Sequence, residues 1–113
     1  MDSIFLDERL VAQEYREQEA FSALPSGPIT GAVSLNPGSI NAQTRGSVNF
    51  TLTGAMPGDI VIMEPPSALN AGLVYAGAEV AAASTVTVHI GNLTGGAIDD
   101  GANTWRFLWF DLT

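Results

Sequence analysis

The sequence predicts a mostly β chain: a small antiparallel β-sandwich or barrel-like module preceded by an N-terminal α-helix and an extended linker arm. Three observations lead there. Twelve Gly and six Pro in 113 residues mean many turns, which suits short strands better than long helices. Apolar and polar residues alternate at Val48–Leu52 and Thr85–Ile90. Residues 3–24, by contrast, contain no Gly or Pro and are rich in Glu, Gln, Arg, Leu and Ala, all good helix formers. One domain is the natural count at this length, and a chain of this size buries roughly 65% of its unfolded surface.

Taken in order, the first element is a helix over about residues 4–20. Ser3 is placed to cap it, and Asp7 and Glu8 suit its first turn. Leu6, Leu10, Val11 and Tyr15 follow helical spacing, so Leu6, Leu10 and Tyr15 are the docking residues expected of a helical arm spanning residues 1–24. The arm packs either on its own module or on a neighbouring subunit. Residues 25–38, PSGPITGAVSLNPG, hold three Pro and three Gly and read as a linker or extended arm. The β-module is expected over residues 39–113.

Within it, Val48, Phe50 and Leu52 alternate with Asn49, Thr51 and Thr53. Met56-Pro57-Gly58-Asp59 fits a type II turn. Ile60 to Met63 follow as a strand, ended by Pro65-Pro66. Leu73-Val74-Tyr75 is a short strand, with Ala78 to Ala81 as its continuation or the next edge. Thr85 to Ile90 puts Val86, Val88 and Ile90 on one face, and Thr85, Thr87 and His89 on the other. A loop runs from Gly91 to Asn103, and Thr104 to Leu112 is the last strand, with Trp105, Phe107 and Trp109 on one face. Leu108 and Phe110 share its other face with Arg106.

Two strands, Ile60–Met63 and Thr104–Leu112, are therefore apolar on both faces. A strand with one wet face should alternate. The second face calls for another layer, either the leading helix or a second copy of the chain. Ile60, Ile62, Trp105, Phe107, Trp109 and Phe110 are accordingly the expected core and oligomer-interface residues.

Charge narrows the partners. The net charge is −8, and the four cations, Arg9, Arg16, Arg45 and Arg106, are scattered. Phosphate neutralisation needs clustered cations, so neither nucleic acid nor an anionic membrane surface is an expected partner. The acidic balance suits Arg- or Lys-lined protein surfaces. No apolar run approaches the ~20 residues that span a bilayer, and MDSIFLDERL does not read as a secretory leader.

Catalytic readings are weak. With one His and no Cys, neither a zinc site nor a disulfide framework is expected, and His89 has no Gly-x-Ser-x-Gly elbow to serve. Asp99 and Asp100, with Gly101 and Asn103, offer oxygen ligands for calcium but lack the EF-hand pattern, so a hairpin turn is the plainer reading. Asp59 and Glu64 are separated by a strand of roughly 16 Å, too far for a glycosidase pair. Gly54-x-x-x-Gly58 has no following Lys and is not a phosphate loop. No enzyme activity and no cofactor are expected. The closing aromatics offer a different class of function, a carbohydrate-stacking platform.

The stretch NFTLTGAMPGDIVIMEPPSALNAGLVYAGAEVAAASTVTVHIGNLTGGAID carries one further signal. Gly54-Ala55, Gly58-Asp59 and Ile60-Val61, then Gly72-Leu73, the Ser84–Val88 strand, and Asn92 with Thr94 and Asp99 come in a familiar order. The order resembles a small β-module of tailed-bacteriophage virion proteins, over about residues 47–110. That resemblance implies a non-enzymatic virion structural protein on the capsid surface. It would be a capsid decoration or cement protein that forms a homotrimer and binds the major capsid protein. The alternative it implies is a carbohydrate-binding tail or fibre module. It supplies no catalytic residues.

Overall fold

The computed structural model describes residues 28–113. The helix expected over about residues 4–20, with Leu6, Leu10 and Tyr15, lies outside the described residues. The described chain is strand and turn. Its strands are β1 (Ile29–Leu35), β2 (Ser39–Ile40), β3 (Arg45–Thr51), β4 (Ile60–Glu64), β5 (Leu73–Ala82), β6 (Thr85–Asn92), β7 (Ile98–Asp99) and β8 (Asn103–Phe110). Two three-stranded sheets form, in the orders β1-β8-β4 and β3-β6-β5, and β2 and β7 make a short ladder of their own. Every strand pairing is antiparallel.

The inward side chains of the two sheets meet in one core. Trp105, Trp109, Val61, Met63 and Leu35 come from β1-β8-β4; Phe50, Leu73, Val80, Val86, Val88 and Ile90 come from β3-β6-β5. Aromatic contacts tie the layers: Phe50 and Phe107 lie 5.6 Å apart between ring centroids, and Tyr75 meets Trp105 edge-on at 6.1 Å. Val86, Val88 and Ile90 are completely buried, each contributing about 1.5–3 kcal/mol by removal from water. Period-2 alternation puts them there, because Thr85, Thr87 and His89 between them face outward.

Ile29–Leu35, inside the stretch expected as a linker, is instead a full edge strand. It pairs with β8 over all seven residues, from Ile29 opposite Trp109 to Leu35 opposite Asn103. Ile29, Val33 and Leu35 reach the core while Thr30, Ala32 and Ser34 face outward. The prolines that suggested a linker, Pro28 and Pro37, bound this strand and leave its interior free to hydrogen-bond. Gly31 has a packing reason: the Phe107 ring lies over it, where a Cβ would collide.

The Met56–Asp59 turn forms as expected. The Asp59 N–H donates to the Met56 carbonyl at 3.0 Å, and Gly58 has φ +104°, a value that L side chains rarely adopt. Leu73–Tyr75 and Ala78–Ala81 belong to one strand, β5, interrupted by a bulge between Tyr75 and Ala78. β5 lies beside β6, and the Tyr75 hydroxyl reaches the neighbouring sheet, where it accepts from the Met63 N–H at 3.4 Å.

β4 and β8 each turn one side inward. Val61 and Met63 are buried, while Ile60 and Ile62 stand 49% and 48% exposed. Ile60 and Ile62 are thus no part of this chain's core. The four-residue apolar run conceals an ordinary inside–outside alternation, because both sides of it are apolar.

Candidate interaction surface

β8 is the central strand of its sheet, and its two sides divide the expected interface residues. Trp105 and Trp109 point inward, at 1% and 7% exposure, and Phe107 packs half-buried against the core. Phe110 is half-buried on the outward side, in line with Leu108 and Arg106. The structure therefore brings Ile60, Ile62 and Phe110 together on the outward face and places Trp105, Phe107 and Trp109 behind them. The indole faces offered as a sugar-stacking platform are turned away from solvent, so that reading loses its platform.

Register builds the outward face level by level. Ile60 lies opposite Phe110, Ile62 opposite Leu108, and Glu64 opposite Arg106. On the other flank of β8, Thr30 stands beside Leu108, Ala32 beside Arg106, and Ser34 beside Thr104. Two apolar levels are thus followed by one level of opposite charges, with small or polar side chains along β1. A groove of about 670 Å³ runs over this face, lined by Thr30, Ala32, Ile62, Glu64, Arg106 and Leu108 among others.

A buried carboxylate holds the apolar end of the face in place. Asp59, at the start of β4, accepts four hydrogen bonds: from the Met56 N–H at 3.0 Å, Trp109 Nε1 at 3.1 Å, the Leu112 N–H at 2.9 Å and the Thr113 hydroxyl at 3.1 Å. Burial alone would raise its pKa, but these four donors outweigh that effect and hold the carboxyl below its ordinary value. A carboxylate so engaged is structural, joining β4 to the residues that follow β8. It is no partner for Glu64, which is exposed at the other end of the strand. Sequence reasoning placed Asp59 in the turn and weighed its carboxylate only against Glu64, not as a link to the residues after β8. The signal for its actual role is its place closing a Pro-Gly turn just before a strand.

The other candidates are also structural. Asn92, 1% exposed, donates from Nδ2 to the carbonyls of Ile40 and Gly96, both at 2.9 Å. Its Oδ1 accepts from the Thr94 N–H and hydroxyl, at 2.9 and 2.8 Å. Asp100 accepts from the Asn70 N–H at 3.0 Å and from Asn103 Nδ2 at 2.8 Å, tying two loops together. Asp99 caps the Gly101 N–H at 3.3 Å. Among the described residues no group of three or more His, Cys, Asp or Glu is placed to hold a metal ion. No described helix is long and apolar enough to cross a membrane. His89 faces outward from the second sheet, its Nε2 2.9 Å from Glu79 Oε1.

Among the described residues, the outward face of β1-β8-β4 brings exposed apolar side chains and a level of opposite charges together on one surface. No protein family, no curated protein and no solved structure matches this chain.

Proposed function

We propose that this chain is a non-enzymatic structural protein: a small β-sandwich module that associates with copies of itself and decorates a larger protein shell. The observation behind self-association is the outward face of β1-β8-β4. Ile60, Ile62 and Leu108 are 49%, 48% and 37% exposed there, contiguous across the paired strands β4 and β8. Scattered exposed apolar side chains are ordinary, but a contiguous patch on a small chain marks an interaction surface.

The shell reading rests on the resemblance to virion β-modules, which makes the major capsid protein the partner and the capsid surface the location, and implies three copies per particle. Its mechanism is mechanical. The apolar faces hold copies together, and arms carrying Leu6, Leu10 and Tyr15 reach neighbouring shell subunits. Several weak contacts engaged at once hold the particle far more tightly than any one of them, through effective concentration.

Two measurements test the proposal. Light scattering from about 1 to about 100 μM is expected to read more than one chain per particle. A single-chain mass throughout would overturn self-association. Purified protein is expected to add back to capsids that lack it and to raise their resistance to heat. Failure to bind such capsids would overturn the shell reading and leave self-association standing. A glycan array is expected to be blank.

A further inference from the structure

We infer that two copies of this chain pair face to face through the outward side of β1-β8-β4, about a twofold axis that runs parallel to the strands between β4 and β8. The inference rests on the reading that the module self-associates, and sets two copies in place of the three that the resemblance implies.

The register of the face carries it. A half-turn about that axis exchanges the β4 position with the β8 position at each level. The levels are Ile60 with Phe110, Ile62 with Leu108, and Glu64 with Arg106. Ile60 then meets the partner's Phe110, Ile62 meets the partner's Leu108, and Glu64 meets the partner's Arg106. Each contact is made twice, as an isologous interface requires. Two levels set apolar on apolar, and the third sets carboxylate against guanidinium.

Had Glu64 and Arg106 been two carboxylates or two cations, the same rotation would have set like charges together. The opposite signs on neighbouring strands make the face complementary to itself. A threefold contact joins two different patches, and this pairing gives it no advantage. The margin fits as well. The axis leaves β1 uncovered, and β1 carries outward Thr30, Ala32 and Ser34, all exposed, where an interface has its polar rim. The charged level lies beyond the apolar levels along the strands, at the Glu64 end of β4, where an exposed pair is screened and directs docking more than it adds affinity. A contact two strands wide is small, so a dissociation constant on the order of micromolar is expected.

Charge exchange tests it. Sedimentation velocity of the full chain up to about 100 μM should show two chains per particle. Glu64→Arg should weaken association at least about tenfold by setting cation on cation twice, and Arg106→Glu should do the same. The double variant E64R/R106E should restore the dimer. Both substituted positions are exposed, and unchanged thermal midpoints in all three variants would show that the fold is intact.

The absence of cysteine gives an independent readout. Chains carrying Ile62→Cys mixed with chains carrying Leu108→Cys should cross-link under mild oxidation, and neither should cross-link to the same extent alone. Three chains per particle, a double variant no better than the singles, or equal cross-linking of the separate variants would overturn the twofold pairing and leave self-association standing. A single-chain mass at every concentration would overturn both.

Discussion

On the outward side of β3-β6-β5, the Thr87 hydroxyl donates to Asn49 at 2.8 Å and His89 meets Glu79 at 2.9 Å. On the outward side of β1-β8-β4, the central strand carries Leu108, with Ile62 opposite it on β4. Both faces belong to three-stranded sheets of the same small molecule, and both back onto the same core. The first is finished: its polar side chains bond to one another and to water, and nothing is gained by covering it. The second leaves apolar area in water at a cost of roughly 25 cal/mol per Å². Alternation along a strand decides which side enters the core. The chemistry of the other side decides whether the folded chain is complete alone.

The comparison can be broken most decisively on β8 itself. Trp105→Ala is expected to cost about 3–5 kcal/mol in denaturant unfolding, because it empties the largest buried site. Leu108→Ala, on the opposite side of the same strand, is expected to cost less than about 1 kcal/mol at dilutions where the chain is alone. Equal costs would mean that Leu108 belongs to the fold and that the outward face is not free.

The next effect concerns what keeps that face in register. Asp59→Asn is expected to cost about 1–3 kcal/mol near neutral pH by weakening four hydrogen bonds. The folded pKa of Asp59 lies below its unfolded value. Its contribution is therefore complete above about pH 4 and is lost as pH falls from there through the folded pKa. Urea midpoints measured against pH should slope downward on the acid side more steeply for the wild type than for the variant. Parallel curves would show that the carboxylate is not what joins β4 to Leu112 and Thr113.

The smallest effects belong to the finished face. Thr87→Val and His89→Gln are each expected to stay within about 0.5 kcal/mol of wild type, as exposed pairs generally do. Particle mass should not change in either. A changed mass would show that the polar face takes part in assembly, and the contrast between the faces would lose its meaning.

Much of the strand content was legible because alternation was visible. Val86, Val88 and Ile90 differ from Thr85, Thr87 and His89 in polarity, so their sides declare themselves. At Ile60–Met63 both sides are apolar, and the pattern says only that the strand is hydrophobic. Orientation there is set by Trp109 and Phe107 across the ladder, which is information from another part of the chain. Ile29–Leu35 was hidden by flanking prolines, because composition over a window weighs Pro28 and Pro37 equally with the alternating Ile29, Val33 and Leu35 between them. The β2–β7 ladder is two residues long and leaves no periodic trace. Asp59 and Asn92 carry roles defined by hydrogen-bond partners as many as 54 residues away. Residue type alone marks them as polar and not as buried. The outward patch was half-visible: Ile60, Ile62 and Phe110 were singled out, but together with the two tryptophans that stand behind them.

Tyr75 gives β4 a boundary. Where the hydroxyl meets the Met63 N–H, the middle of an edge strand no longer presents a free donor to an incoming chain. A sheet that is greasy on one surface and open along its margin invites lateral addition without end, copy upon copy into a ribbon. Engaging a donor on the β4 margin while leaving the surface bare favours a contact that saturates over one that propagates from that edge.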